Sequence, residues 1–219
     1  MNLVIENLHL SDWKELTYLG RKRPSLDVIR TGKFETGINV FDLEDYGFHF
    51  VEELTKGKEG RRSSKEKIYL NGKKVSFKKI KEMSCYVGYD MARFPDNILK
   101  TRIKRYIKRG LRKSKIKYSY EDIVDMFGLK EPFLSWDLCN ATQYGLIYLF
   151  AINFAKGKKI FGLNPLSHTL MKEQKDFSVI DKIAESEDLI VLIATNTGSE
   201  FMEKEISFNY KVTELRWKL

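Results

Sequence analysis

The sequence predicts an α/β protein with a mixed sheet, and three observations along the chain support this class. Apolar residues that alternate with polar ones over 3–8 predict a first strand. A helical pattern begins near Ile98. The segments 159–161 and 189–194, which are apolar except for Lys159, are typical of strands buried in a parallel sheet. With 219 residues, of which 42% are apolar, the chain can bury one ordinary core. We therefore predict that 1–219 forms a single domain.

The first third of the chain predicts strands and turns, with one helix among them. Phe48, Val51 and Leu54 recur at helical spacing directly after a turn at 45–47. The expected extended segments cover residues 3–8, 26–34 with a turn at Thr31-Gly32, 38–43, 68–77 with a turn at Asn71-Gly72, and 85–87. This third is therefore expected to contribute the antiparallel part of the mixed sheet.

The rest of the chain alternates helices with buried strands. Apolar positions predict helices over 98–111, 121–127 and 146–154, the last one closed by Gly157. A further helix over 171–184 separates the two buried strands.

Charge is concentrated in one segment of the chain. Lys plus Arg is 39 and Asp plus Glu is 30, which gives a net charge of +9. Ten of the cations lie between Lys100 and Lys117, with no acid among them, and the remainder of the chain sums to 9 − 10 = −1. The protein therefore carries one cationic helix on a nearly neutral body, and this helix predicts an anionic or membrane-proximal partner.

The cysteine and hydropathy patterns argue against several classes of protein. Cys85 and Cys139 have no paired spacing, so they predict neither a disulfide framework nor a zinc site, and they are expected to be buried small residues. The longest apolar run, 144–155, is about half of the roughly 20 residues that span a membrane. No signal peptide is visible in the first ten residues, so a cytoplasmic location is expected.

Several segments, in order, resemble the nucleotide-binding domain of ABC transporters over almost the entire chain. The matching segments are 25–28 with 36–37 before the phosphate loop, 68–73 after the first helix, 86–95 around the Q-loop, 139–143 with 159–165 at the spacing of the signature sequence and Walker B strand, and 189–195 before the switch histidine. The resemblance implies an ABC-ATPase-like mixed sheet core with an antiparallel β part and a helical lobe inserted at about 90–138.

The same resemblance implies that the positions that bind ATP and Mg²⁺ and catalyse hydrolysis in the family hold residues that cannot perform these roles here. Phe50 stands where the phosphate-binding lysine belongs and Val51 where the magnesium-binding Ser or Thr belongs, while no lysine occurs from 44 to 55. Leu163 replaces the Walker B Asp and Asn164 the catalytic Glu. The other aligned positions are Gly47 in the phosphate loop, Tyr89 for the Q-loop Gln, Gln143 in the signature sequence and Asn196 for the switch His. We therefore predict no catalytic residues, no metal site and no binding of ATP or Mg²⁺, as in a pseudoenzyme.

The resemblance also implies partners. The chain is expected to be a structural or regulatory component of a transporter complex, peripheral to the inner face of the membrane. Its expected partners are a membrane permease, an intact ABC ATPase chain in a heterodimer, and the anionic membrane surface. The predicted partner-binding residues are Tyr89, Met91, Phe94, Lys100, Arg102, Lys104, Arg105, Lys108 and Arg109. Two alternatives remain open, namely a basic adapter that binds nucleic acid or other anionic partners, and an ABC ATPase with unorthodox ligands.

Overall fold

A computed structural model of the chain describes ten segments of the sequence. These segments are residues 1–8, 29–42, 51, 54–55, 66–87, 102–136, 146–163, 174–195, 211–212 and 216–217. They form two five-stranded sheets and five helices that are described over most of their length. The predicted α/β class with a mixed antiparallel and parallel architecture is confirmed.

The first sheet is antiparallel and contains the start of the chain. Its strands are β1 (Asn2–Leu8), β2 (Ile29–Glu35), β4 (Lys67–Leu70), β5 (Lys73–Val75) and β10 (Arg216–Trp217), in the order β10-β2-β1-β4-β5. The predicted turn at Thr31-Gly32 is wrong, because β2 continues through it. Thr31 pairs with Glu6 and Gly32 with Ile5 in the ladder with β1, so cross-strand pairing extends these turn-forming residues.

The predicted hairpin of β4 and β5 is confirmed, with one difference at its end. Asn71 and Gly72 form the turn with positive φ angles of 50° and 75°, a conformation that these residue types adopt readily. Phe77, which the sequence assigned to the hairpin, instead begins α1 (Phe77–Met83). The helix starts there because the Ser76 hydroxyl accepts a hydrogen bond from the Lys79 backbone N–H at 3.2 Å.

The second sheet is parallel, as the two apolar runs predicted. Its strands are β3 (Gly37–Asp42), β6 (Ser84–Val87), β7 (Ile160–Leu163), β8 (Ile190–Thr195) and β9 (Lys211–Val212), in the order β6-β7-β8-β3-β9. Every neighbouring pair in this sheet is parallel. The sequence did not predict the short strands β9 and β10.

Helices cover the parallel sheet. They are α2 (Ile103–Ser114), α3 (Tyr120–Met126), a 3-10 turn (Phe133–Ser135), α4 (Leu146–Ala155) and α5 (Gln174–Ser186). All ten residues of α4 are buried, and all are apolar except Asn153, whose amide donates to the Leu149 carbonyl at 2.9 Å. The described part of the predicted lobe, 102–136, is largely helical and packs its apolar side into the same core as α4. Among the described helices, none combines the length and the apolar character needed to cross a bilayer.

The parallel sheet separates two apolar cores. Alternate residues of β7 point to opposite faces, as the pleat of a strand requires. Ile160 packs with the antiparallel sheet, whereas Phe161 and Leu163 pack with the helices. On the helical side, the rings of Phe161 and Phe150 stack with centroids 3.9 Å apart. Any side chain on β7 therefore belongs to one core or the other.

The N-terminus of α3 gives a first testable prediction. Ser119 and Asp122 form a capping box, in which the Asp122 N–H donates to the Ser119 hydroxyl at 3.0 Å and the Ser119 N–H donates to the Asp122 carboxylate at 2.7 Å. Ser119→Ala is expected to lower the free energy of unfolding by about 1 kcal/mol, because the helix loses an N-cap acceptor. Urea denaturation measures this change, and Ser135→Ala, outside the box, is the control. A Ser119 variant as stable as wild type would contradict the assignment.

Candidate functional site

The carboxyl-terminal edge of the parallel sheet is the first candidate site, because open α/β sheets bind ligands there. Five parallel strands end at this edge, and they include β6 at Val87, β7 at Leu163, β8 at Thr195 and β3 at Asp42. The ladders align Val87, Leu163, Ile193 and Val40 in one row across the sheet. These four residues are buried and apolar. The part of this row that β6, β7, β8 and β3 contribute is therefore hydrophobic core.

Leu163 has no access to a ligand in this structure. Its relative exposure is 1%, and Val87 and Ile193 flank it on the neighbouring strands. It belongs to the core on the helical face of the sheet. The position that the resemblance assigns to the Walker B Asp is thus filled by a packed aliphatic side chain.

Val51 is buried in the opposite core. It is helical, its exposure is 0%, and it packs with Leu54 beneath the antiparallel sheet. Gly162 permits the close approach of this segment to β7, since a Cβ added there would overlap Val51 Cγ1 and lie 3.1 Å from Thr55 Cγ2. The Thr55 hydroxyl donates to the Val51 carbonyl at 2.7 Å, so this hydroxyl near Val51 already forms a hydrogen bond within its own helical segment.

The two candidate magnesium positions are therefore separated by the sheet. Val51 packs on the side of the sheet toward which a side chain at Gly162 would point, whereas the Leu163 side chain points to the other side. The structure does not bring these two side chains together. The remaining predicted nucleotide-site positions, Gly47, Phe50, Tyr89, Gln143, Asn164 and Asn196, lie outside the described residues, as do Met91, Phe94 and Lys100. No three His, Cys, Asp or Glu side chains within the described segments are grouped so that they could hold a metal ion.

Cys85 is the second residue of β6, toward the amino-terminal end of the parallel strands, and its surroundings suppress thiol chemistry. Burial raises the pKa of the Cys85 thiol to about 12, although the positive charges of Lys158 and Lys156 act in the opposite direction. The Lys158 ammonium also donates to the Glu82 carbonyl at 2.7 Å, at the end of α1. A thiol with such a raised pKa is a poor nucleophile at neutral pH. The expectation that Cys85 is buried is met only in part, because the residue is half-buried and packs against the helical core. Its structural role stays a prediction.

Thiol labelling tests this second prediction. In a Cys139→Ser variant, which leaves one thiol, Cys85 is expected to react with Ellman's reagent near pH 8 at least about a hundredfold more slowly in the folded protein than in denaturant. The cause is the loss of thiolate at a raised pKa combined with restricted access. Equal rates in the folded and denatured protein would show that Cys85 is an accessible, ionisable thiol.

The second candidate site is the exposed side of α2. Arg105, Lys108, Arg109 and Arg112 follow the spacing i, i+3, i+4, i+7, so they share one side of the helix, and all four are exposed. We call these four residues the cationic stripe. The opposite side of α2 buries Ile103, Ile107 and Gly110. Of the predicted partner-binding residues, the structure describes Arg102, Lys104, Arg105, Lys108 and Arg109, and all five are exposed.

A shallow groove runs beside the stripe between α2 and α3. Its volume is about 820 Å³, and its lining comprises Arg105, Lys108, Arg109, Leu111, Arg112, Tyr120 and Glu121. The ammonium groups of Lys104 and Lys108 lie 5.4 and 4.7 Å from the centroid of the Tyr120 ring. These distances are in the range of cation–π interactions. Sequence reasoning left Arg112 and Tyr120 out of the site, although the helical spacing from Arg105 would have identified Arg112.

Tight packing fixes the stripe to the body of the protein. Gly110, on the buried side of α2, lies so close to α4 that an added Cβ would be 3.0 Å from the Ala155 carbonyl carbon. Lys115 ends α2 in a left-handed conformation with φ 58°, after which the chain turns toward α3. The four cations are therefore presented on a helix that is anchored to the central core.

Comparisons with known proteins agree with this architecture. No protein-family model matches the sequence, and no curated protein matches it. Among solved structures, a putative ABC transporter (ATP-binding protein) from Pyrococcus furiosus has a TM-score of 0.62 at 17% identity, with 97% of both chains covered. A dimeric ATP-binding cassette in a post-hydrolysis state, bound to ADP and Pi, has a TM-score of 0.56 at 12% identity, covering 90% of this chain and 89% of that one.

A third structure is a bacterial Atm1-family ABC exporter with ATP bound. It has a TM-score of 0.58 at 11% identity, and the match covers 97% of this chain but 37% of the exporter chain. Identities this low establish the fold alone. The chain therefore has the fold of ABC ATPase domains, as its sequence motifs predicted.

Proposed function

We propose that this protein is an ABC-ATPase-like component of a membrane transporter complex that acts as a structural or regulatory body and does not hydrolyse ATP. One observation carries this proposal. The two positions that would supply the hydroxyl and carboxylate ligands of Mg²⁺ hold Val51 and Leu163, which are buried on opposite faces of β7. This burial of Val51 and Leu163 supports a body in which the described residues nearest that edge contribute core packing.

Chemistry explains why this substitution matters. Phosphoryl transfer in this fold depends on a lysine at the phosphates, on oxygen ligands for Mg²⁺ and on a residue that orients the attacking water. Valine and leucine side chains have no oxygen to offer a hard cation. The replacement of the lysine by Phe50 and of the catalytic Glu by Asn164 removes the other two contributions. Such a chain keeps the docking surfaces of an ATPase without its reaction.

The proposed partners follow from the fold neighbours and from the resemblance. The dimeric cassette bound to ADP and Pi supports pairing with a second, intact ATPase chain. The exporter supports association with a membrane permease. In this proposal Tyr89, Met91, Phe94 and the start of α2 contact the permease, and the protein lies on the cytoplasmic face of the membrane.

Phosphate release tests the catalytic half of the proposal. The purified chain is expected to release no more phosphate from Mg-ATP than its own Phe50→Ala variant, since neither supplies a lysine at the triphosphate. An intact ABC ATPase domain assayed in parallel provides the positive control. Magnesium-dependent turnover above the Phe50→Ala background would contradict the proposal and favour an ATPase with unorthodox ligands.

A basic adapter outside transport is the second candidate function, and the cationic stripe is the observation that favours it. Affinity purification from a membrane fraction separates the two candidates. Recovery of an integral membrane subunit supports the transporter component, whereas recovery of nucleic acid without a membrane subunit supports the adapter.

A further inference from the structure

The cationic stripe has three features that together define what it can bind. Four cations share one exposed side of α2, and α2 contains no acidic residue, although Glu121 of α3 lies at the groove. Three of the four are arginines, whose planar guanidinium groups match phosphate oxygens in pairs. Gly110 packs α2 tightly against α4, so the helix loses little conformational freedom when the stripe binds a surface.

Apolar residues are absent from the stripe itself. The large apolar side chains of α2 are buried or half-buried, with Ile103 and Ile107 in the core and Tyr106 and Leu111 packed against it. An interfacial helix that inserts into a bilayer instead presents Trp, Phe or Leu on its contact side. The stripe therefore suits Coulombic contact with a phosphate-bearing surface, without insertion.

The spacing of the stripe favours an extended anionic surface over a single small anion. Arg105 and Arg112 are seven residues apart, which is about 10 Å along a helix. The four charges thus face outward along a line rather than converging on one point. A surface with many headgroup phosphates can engage all four at once, and each engaged cation adds to the binding.

Base stacking, which would favour single-stranded nucleic acid, has little support here. Tyr120 is the aromatic residue that lines the groove, and two ammonium groups already contact its ring. Its hydroxyl is buried and has no hydrogen-bond partner within the described segments. The exposed side chains on α2 are Lys and Arg, which supply charge rather than a stacking platform.

We infer that the cationic stripe of α2 docks the protein on the anionic phospholipid headgroups of a membrane surface. This inference deepens the proposed function and rests on it for the presence of a membrane nearby. The contact is peripheral and sensitive to salt, because exposed charges are screened within about 8 Å at physiological ionic strength.

Vesicle co-sedimentation tests the inference with the full chain and no other protein. The probes are phosphatidylcholine vesicles with and without about one third phosphatidylglycerol, at about 0.05 M and about 0.5 M salt. Wild type is expected to bind the anionic vesicles at low salt, with at least about tenfold weaker binding at high salt or without phosphatidylglycerol.

A matched pair of variants locates the contact. The stripe variant replaces Arg105, Lys108, Arg109 and Arg112 with Gln, and the control variant replaces Lys73, Lys74, Lys78 and Lys79 with Gln. All eight residues are exposed, and both variants lose the same formal charge. The stripe variant is expected to bind at least about tenfold more weakly than wild type, and the control variant within about threefold of it. Thermal unfolding verifies that both variants are folded.

Three results would overturn the inference. If the stripe variant bound with wild-type affinity, the stripe would not be part of the contact. If both variants lost the same affinity, binding would depend on net charge alone. Tight binding of an oligonucleotide without vesicle binding would assign the stripe to nucleic acid. The assay needs neither nucleotide nor permease, so its failure would be distinguishable from a failure of the proposed function, which phosphate release and purification test separately.

Discussion

Leu163→Asp is expected to destabilise the protein by at least about 4 kcal/mol at neutral pH, although the same change would restore a metal ligand in an ABC ATPase. Leu163 is 1% exposed between Val87 and Ile193. The substitution removes packed methyl groups and places a carboxylate among aliphatic side chains without a charged partner. Urea denaturation of the variant and of wild type measures the difference.

Leu163→Asn is the matched control, since it removes the same packing and cannot ionise. Burial raises the pKa of a carboxyl group, so the Asp variant loses additional stability as the pH rises above its unfolded value of about 3.9. The two variants are therefore expected to be about equally stable near pH 4 and to diverge toward neutral pH. A Leu163→Asp variant as stable as wild type, or one stabilised by Mg²⁺, would show that this edge is an open ligand site.

Gly162→Ala is expected to cost about 3 kcal/mol, at the upper end of the usual effect of overpacking. The added methyl group would overlap Val51 Cγ1 and come within 3.1 Å of Thr55 Cγ2, and both of these residues are buried. Either β7 or the helical segment that contains Val51 has to move. Urea denaturation of the single variant provides the measurement.

A double-mutant cycle shows whether Val51 is the cause. In the Gly162→Ala/Val51→Ala variant the two methyl groups of Val51 are absent, so the cost of Gly162→Ala is expected to fall by at least about 1 kcal/mol in that background. Leu54→Ala is the matched control and should leave the cost unchanged, because Leu54 lies in the same core but the three atoms nearest to an added Cβ at Gly162 belong to Val51 and Thr55. Additive effects of Gly162→Ala and Val51→Ala would contradict the described packing.

Much of the fold could be predicted because its signals are local. The apolar runs around Ile160 and Ile190 indicated parallel strands, and the sequence of α4, which is apolar except for Asn153, indicated a buried helix. Thr31-Gly32 predicted a turn but lies within a strand, since a residue pair that favours turns also pairs in a ladder when a neighbouring strand such as β1 is present. That information lies in the tertiary structure and not in the local sequence.

The candidate sites were predictable to different degrees. The cationic stripe could be predicted from helical spacing alone, whereas the position of Tyr120 beneath Lys104 and Lys108 depends on the packing of α3 against α2. The sequence motifs placed Val51 and Leu163 near one magnesium ion. Only the pleat of β7 and the approach of the helix at Gly162 reveal that the two side chains belong to different cores.

Equilibrium binding of Mg-ATP tests the proposed function most directly, because the proposal requires that the carboxyl-terminal edge of the parallel sheet does not bind this nucleotide. The measurement is the free energy of unfolding in urea with and without about 1 mM Mg-ATP, together with calorimetric titration of the same nucleotide. The account predicts no saturable heat and no change in stability. Saturable heat, with a gain of about 2.7 kcal/mol for a dissociation constant near 10 μM, would contradict it.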